Sequence, residues 1–431
     1  MPSTWPRVRL VDLCEVHVDC VNRTAPVVDG PTPYKMIRTT NVRRGFVDVE
    51  GVKYVTQPVY EKWTRRLVPR RGDVLLTREA PLGEVGMLRS DETVFLGQRI
   101  YHFRANEAVA DKHFLLYALQ APDLQGQIRG YGSGSTVEHM RLPDILELMV
   151  AVPALDVQRR IGGVLKAYDD LIENCERRIR VLDEMARALY REWFVSFRYP
   201  GHEKTPLVDS PLGRIPKGWE SKAVAELIES HIGGGWGSDT QDEEHTTPGW
   251  VIRGTDIPDA RYGRVSSVPF RHHLPSNIRS RALEPLDIVF ETSGGSKGQP
   301  VGRTLLVTQD LLTAFAGPCI CASFCKKVRP LSAAFDPFLL YLSFLEGYSS
   351  GETATYQVQS TGISNFKWSD YIASVHRAVS PPPLQLRFRE IVEPWFTVIS
   401  KLGRLASNLR HVRDLLLPRL LSGQLSVDDA A

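Results

Sequence analysis

Cysteine is scarce in this 431-residue sequence: Cys14, Cys20, Cys175, Cys319, Cys321 and Cys325 are too few and too scattered for the disulfide framework of a small secreted domain. Reduced thiols are therefore expected. The group Cys319, Cys321 and Cys325 lies in an apolar, strand-like run without paired Cys-x-x-Cys spacing or a nearby histidine. That argues for buried structural thiols and against a metal site. The sequence also lacks any apolar run near the ~20 residues that span a bilayer, and the start MPSTWPRVRLVDLC has no apolar stretch of signal-peptide type. The expectation is a cytoplasmic protein with no membrane partner.

An excess of one charge is missing too. The net charge is +3, so composition alone does not announce a nucleic-acid binder. Residues 1–150 carry 20 basic and 18 acidic side chains, and residues 219–382 carry 14 and 17. Contacts to a polyanion would have to come from local clusters such as Arg65, Arg66, Arg70, Arg71 and Arg78, or from a basic partner. Hydrophobic residues at 42% and charged residues at 24% are ordinary for globular chains, and the length suggests two or three domains.

What is present is an internal repeat. Trp5, Leu10, Asp12 and Leu13 recur as Trp219, Val224, Glu226 and Leu227. Ile37-Arg38-Thr39-Thr40-Asn41-Val42 recurs as Ile252-Arg253-Gly254-Thr255-Asp256-Ile257, and Gly72–Leu76 as Leu286–Phe290. Phe114-Leu115-Leu116-Tyr117 then matches Phe338-Leu339-Leu340-Tyr341, Ser135-Thr136 matches Ser360-Thr361, and the Pro-Ala-Leu at 153–155 matches the Pro-Pro-Leu at 382–384. Ordered matches at a slowly drifting offset mean two copies of one unit, with insertions in loops of the second. Each copy holds about 150 residues of short β-branched runs and turns, then a helical segment, which predicts a compact α+β domain.

The helical segments carry heptad seams. In the first, Ile161, Val164, Tyr168, Leu171, Cys175, Leu182, Met185 and Leu189 follow 3,4 spacing interrupted by Arg178, predicting one long helix over 156–194. The second seam is Trp395, Val398, Leu402, Leu405, Leu409, Val412 and Leu416, closed by Pro418 and Gly423, with Pro394 marking a kink or a fresh start. A helix with one apolar seam needs a partner. The tandem order makes the other copy's helix that partner, in antiparallel pairing.

Catalytic motifs are absent. There is no Gly-rich cofactor turn after a strand and no Asn/Asp-Pro-Pro-aromatic loop of a DNA methyltransferase. Asp336-Pro337-Phe338 is better explained as a helix start. The Gly-rich strings at 132–136 and 293–298 lack P-loop spacing.

Three strings carry a family resemblance: Val251-Ile252-Arg253-Gly254-Thr255-Asp256-Ile257-Pro258, the Ser293–Gly302 string SGGSKGQPVG, and ARALYREWFVSFRYPGHE at 186–203 with GRIPKGW at 213–219. With them the whole chain resembles the specificity subunit of type I restriction-modification systems. The resemblance implies two target-recognition domains, each reading one half of a split DNA target, and helices that set the spacer and dock modification subunits. It implies as partners double-stranded DNA, two methyltransferase subunits and two restriction/translocase subunits. S-adenosylmethionine, ATP and Mg are expected on those partners, none on this chain, which is expected not to be an enzyme.

The expected fold class is α+β: two homologous globular target-recognition domains separated by two long helices packing as an antiparallel coiled coil. The segments are 1–155, first recognition domain; 156–199, central spacer helix; 200–218, linker; 219–382, second recognition domain; 383–425, C-terminal spacer helix; and 426–431, tail.

Candidate DNA-binding residues come from the Gly-rich loops and the repeated Arg-x-Thr motif. Ser133, Ser135, Thr136 and His139, with Ser293, Ser296 and Lys297, offer amides, hydroxyls and a point charge to phosphates. Ser360 and Thr361, which match Ser135 and Thr136, are candidates too, with Asn365 and Lys367 close after them. Arg38, Thr39 and Asn41, with Arg253, Thr255 and Asp256, have the chemistry to read base edges. They recur at one place in both copies, however, whereas readers of different sequences should differ, so they lean toward structural or phosphate roles. Base readers should sit where the copies diverge: Arg78–Gly83 against Thr292–Gly298, and Tyr131–His139 against Gln357–Lys367. The alternatives are an enzyme acting on DNA through an unrecognised site, and a protein-joining scaffold that has lost DNA reading.

Overall fold

The computed structural model describes residues 5–132, 138–294, 300–360 and 363–427. The chain divides into two compact units, Met1–Leu171 with Leu409–Ala431, and Ile172–Asn408. Each unit thus takes a stretch of both long helices, and its borders fall inside those helices.

In the first unit the backbone of the fold is a six-stranded sheet in the order Cys14–Asp19, Ile100–Ala105, Val74–Arg78, Leu82–Met87, Gly45–Val47, Val42–Arg43. The strand Val74–Arg78 is buried along its whole length. Its side chains alternate between two cores: Val74 and Leu76 face the one built on helix Lys112–Gln120, and Leu75 faces the one built on Ile37, Val42 and Leu96. A smaller sheet sets Lys35–Ile37 parallel to Val94–Leu96.

The second unit repeats this plan. Ile228–Gly233, Cys325–Pro330, Ile288–Glu291 and Thr304–Leu306 form the sheet in that order. Ile288 and Phe290 face the core of helix Pro337–Ser350, while Val289 faces the other. Thr247–Ile252 runs parallel to Cys319–Cys321, whose thiols are buried with that of Cys325. The α+β class and the two homologous globular parts expected from the repeat are what the structure holds.

One device anchors both copies. Asp111 caps helix Lys112–Gln120 by accepting from the amides of His113 and Phe114, while its own amide donates to Gln158 Oε1 at 3.1 Å. Asp336 caps Pro337–Ser350 through the Phe338 amide, and its own amide donates to Gln385 Oε1 at 2.8 Å. Asp336-Pro337-Phe338 is therefore a helix start, as its sequence suggests.

The long helices are Leu155–Tyr190, continued by a π-helical turn Arg191–Val195, and Pro382–Leu421. Pro394 does not start a new helix and Pro418 does not end this one, which runs on to Leu421 before Gly423 takes φ 69°. In the first unit Ile161 and Leu165 share a core with Leu417 and Leu420, and Arg413 pairs with the buried Asp169 at 2.5 Å. Asp169 also accepts from Tyr117 at 2.8 Å, tying the globular part to the helix pair. In the second unit Trp193 and Phe194 pack on Phe388 at 5.8 and 5.0 Å, and Cys175 and Ile179 share their core with Ile399, Leu402 and Ala406. The helices pack antiparallel.

The seam is not the expected one. The buried apolar side chains of the first helix are Ile161, Leu165, Ile172, Cys175, Ile179, Ala186 and Tyr190, with Leu182 and Leu189 partly buried beside them. Leu171 and Met185 are exposed, and Val164 and Tyr168 are half-buried. In the second helix Phe388, Val392, Phe396, Ile399, Leu402, Ala406, Leu417 and Leu420 are buried, whereas Leu405 and Val412 are exposed. Trp395, Val398, Leu409 and Leu416 flank the seam, half-buried. The interruption at Arg178 disappears because Ile179 occupies that turn.

Candidate nucleic-acid interface

Four chain segments converge at one end of the first unit's sheet. Strand Lys35–Ile37 ends where the Ile37 carbonyl accepts from the Gly97 amide at 2.7 Å, and Thr39 Oγ1 donates to the Ala80 carbonyl at 3.0 Å. The Arg78 amide donates to the Arg99 carbonyl at 2.8 Å, and the Arg78 carbonyl accepts from the Met140 amide at 3.0 Å. Glu79 and His139 face each other across a β-bridge. These bonds tie Ile37–Thr39, Arg78–Ala80, Gly97–Arg99 and His139–Met140 into one rim.

The second unit builds the same rim with matching main-chain bonds. The Ile252 carbonyl accepts from the Ala322 amide at 2.8 Å. The Thr292 amide donates to the Phe324 carbonyl at 2.8 Å, and the Thr292 carbonyl accepts from the Phe366 amide at 2.9 Å. Ser293 pairs with Asn365 in register, and its hydroxyl donates to Asn365 Oδ1 at 2.5 Å. Arg78, Glu79, Arg99 and His139 thus stand where Thr292, Ser293, Phe324 and Asn365 stand in the other copy. The scaffold is held by main-chain bonds that any side chain permits, so the side chains are free to differ.

Beside this second rim lies a cavity of about 490 Å³ lined by Trp236, Arg253, Thr255, Ser293, Arg303 and Phe324. Arg303 Nε donates to the buried Glu291 carboxylate at 2.8 Å, a hydrogen bond that holds the guanidinium above its ordinary range. Gly254 stands against this pair: a Cβ there would come within 2.3 Å of Glu291 Oε1. That contact accounts for glycine where the first copy has Thr39.

Several candidate residues prove to be supports. Asn41 is buried; its Oδ1 accepts from the Arg38 amide at 2.9 Å and its Nδ2 donates to the Gly51 carbonyl at 2.9 Å. Asp256 is buried and saturated, accepting from the Arg253 amide, Arg253 Nε and Nη2, and Ser267 Oγ at 2.8–2.9 Å. Asn41 and Asp256 are therefore turn-holders with no atom left for a base edge, and Arg253, clamped on Asp256 and the Ser267 carbonyl, is largely committed as well. Arg38 reaches the Gly51 carbonyl at 3.2 Å. Arg78 is also buried, pairing with Asp19 at 3.1 Å and donating to the Met140 carbonyl. Burial raises the Asp19 carboxyl above its usual range against the opposing pull of Arg78.

Of the others, Thr39, His139 and Ser293 are half-buried, and Thr255, Asn365 and Lys367 are exposed. Ser360 ends the strand Gln357–Ser360. Ser133, Ser135, Thr136, Ser296, Lys297 and Thr361 lie outside the described residues. The basic cluster is partly neutralised: Arg70 pairs with Glu15 at 2.8 Å and Arg71 with Asp91 at 3.5 Å, while Arg65 and Arg66 are exposed. Among the described residues no group of three His, Cys, Asp or Glu side chains is placed to hold a metal ion, and no helix is long and apolar enough to cross a membrane.

The segment that sequence reasoning missed is the turn Gly97–Arg99 and its equivalent Ala322–Phe324. Its signal lay in the drift of the repeat offset, since Ile100 and Cys325 open equivalent strands.

The described fold is two similar α+β units, each carrying a stretch of both long helices. Residues 2–184 match the family model described as the type I restriction modification DNA specificity domain. The chain is 24% identical over 386 residues to the type I restriction enzyme MjaIX specificity subunit of Methanocaldococcus jannaschii, covering 88% of this chain and 83% of that one. It is 22% identical over 177 residues to the EcoBI specificity subunit of Escherichia coli, covering 40% and 37%. The crystal structure of the type I restriction-modification S subunit from M. genitalium superposes with a TM-score of 0.59 at 15% identity, covering 97% of this chain and 96% of that one, which supports the shared fold. Residues 2–184 thus carry a type I restriction modification DNA specificity domain, and the chain as a whole is similar to the specificity subunits of type I restriction enzymes.

Proposed function

We propose that each unit reads one half of a bipartite duplex target, while the paired helices set the spacing between the halves and dock methyltransferase subunits. The observation that carries this reading is the rim built twice with the same main-chain bonds and different side chains. Phosphate contacts position a protein and base-edge contacts specify its sequence, so two identical scaffolds with unlike side chains suit two different half-targets. Val181, Met185 and Leu405 in the second unit, and Leu171, Val412 and Leu415 in the first, are apolar helix residues left in solvent, and they supply the surface for helical partners. Methyl transfer with S-adenosylmethionine, and ATP- and Mg-dependent steps, belong in this reading to the partner subunits.

Exchange of residues 219–382 for the corresponding part of a related subunit tests it. Sequencing of methylated sites in DNA exposed to the assembled complex should show one half of the target changed and the other retained. A change in both halves, or in neither, overturns the two-reader proposal.

A further inference from the structure

We propose that Arg99 in the first unit and Phe324 in the second are specificity-determining residues, Arg99 gripping the O6/N7 edge of a guanine and Phe324 contacting the methyl group of a thymine. The inference rests on the two-reader proposal and extends it to the segment absent from the sequence-derived candidates.

The two residues occupy one structural place. Each precedes a central strand, Ile100–Ala105 or Cys325–Pro330, and each carbonyl accepts the amide of the facing rim segment at 2.8 Å. Main-chain bonding fixes where each Cα stands and leaves the side chain to point out. The Arg99 side chain is 42% exposed and Phe324 is 54% exposed. Arg99 takes φ 68°, left-handed backbone that a non-glycine residue adopts only at a cost and that clusters at functional loops.

Their chemistry differs as readers of different sequences require. Arg99 Nε faces Glu79 Oε2 at 3.0 Å, which orients the guanidinium, and the terminal nitrogens have the fork geometry of a bidentate contact. A forked arginine matches the two acceptors of guanine in the major groove. Phe324 has no donor or acceptor on its side chain. With the exposed Trp236 it lines the 490 Å³ cavity, giving an apolar surface suited to the thymine methyl, the one apolar mark in that groove. The neighbouring Ser293–Asn365 pair supplies the polar groups there, as Glu79 and His139 do in the first unit.

The test uses the full chain assembled with its methyltransferase partner and pools of duplex DNA with randomised positions, sequenced after selection. Arg99→Ala and Arg99→Lys should each relax one guanine position in one half-target by roughly 5- to 150-fold and leave the other half unchanged. The lysine variant keeps the charge and loses only the fork, so folding and base reading separate. Phe324→Ala should relax one thymine position in the other half. Uracil in place of that thymine should weaken the unaltered complex and leave the Phe324→Ala complex unaffected. Variants that select the original sequence with undiminished stringency, or that lose all sequences alike, overturn the assignment and leave the two-reader proposal standing. An unaltered complex that selects no split sequence overturns both.

Discussion

Arg104 holds the Asp73 carboxylate through Nε and Nη2, each at 2.8 Å, and Arg329 holds Asp287 in the other copy at 2.9 and 3.1 Å. A second base completes each site: His102 at 2.6 Å from Asp73, and Lys327 at 3.5 Å from Asp287. Both acids are fully buried below the central strand and accept the amide that closes the preceding turn, Arg70 or Glu284. The turn thus enters the strand at a fixed angle, and the strand ends at the rim.

Removing this acid should be costly. Asp73→Ala leaves Arg104 and His102 facing an empty buried site, and loss of one member of a buried ion pair costs about 3–5 kcal/mol. The effect should carry a pH signature. Burial pushes the Asp73 carboxyl up, but hydrogen bonds from Arg104 and His102 outweigh it and hold the pKa below the ordinary carboxylate value. A lowered folded pKa stabilises above the unfolded value and is lost as pH falls through the folded one. Denaturant unfolding should therefore show the gap between the original chain and Asp73→Ala full at neutral pH and narrowing below about pH 4. A gap that stays constant down to pH 2 would contradict this account.

The corrected seam makes a second prediction. Ile179→Ala empties a buried position in the core shared with Val392 and Phe396, and should cost about 2–5 kcal/mol by thermal or denaturant unfolding. Leu171→Ala and Met185→Ala remove exposed side chains and should change stability by no more than about 0.5 kcal/mol. They should instead weaken co-purification with the methyltransferase partner. A large stability loss at Leu171 would restore the seam read from the sequence.

The sequence disclosed the duplication, the α+β units and both long helices, because each leaves a long-range pattern. The seam was misread by one residue because two heptad phases compete. Ile161, Tyr168, Cys175, Leu182 and Leu189 belong to both, and adjacent apolar residues such as Leu171 and Ile172 leave the alternate positions undecided. The globular part that covers the helix makes that choice, and periodicity does not see it. Asn41 and Asp256 have base-reading chemistry in sequence, but main-chain amides three residues upstream use their oxygens, a short-range bond that residue type alone does not reveal. Arg99 and Phe324 were hidden because loop insertions shift the repeat between one rim segment and the next.

The spacing role of the helices is tested by insertion in both at once, since each is seated on the other within each unit. Seven residues after Leu171 together with seven after Asn408 keep the heptad phase and add about 10.5 Å, the rise of roughly three base pairs. Assembly should survive, and selection from duplex pools of varied spacer should favour a spacer longer by about three base pairs. Two residues inserted after Leu171 alone turn the following seam by about 200°, bringing Cys175 and Ile179 out of their core. That variant should be insoluble or fail to assemble. If the doubly extended chain selected the original spacer with undiminished affinity, the helices would have no part in setting the distance between half-targets.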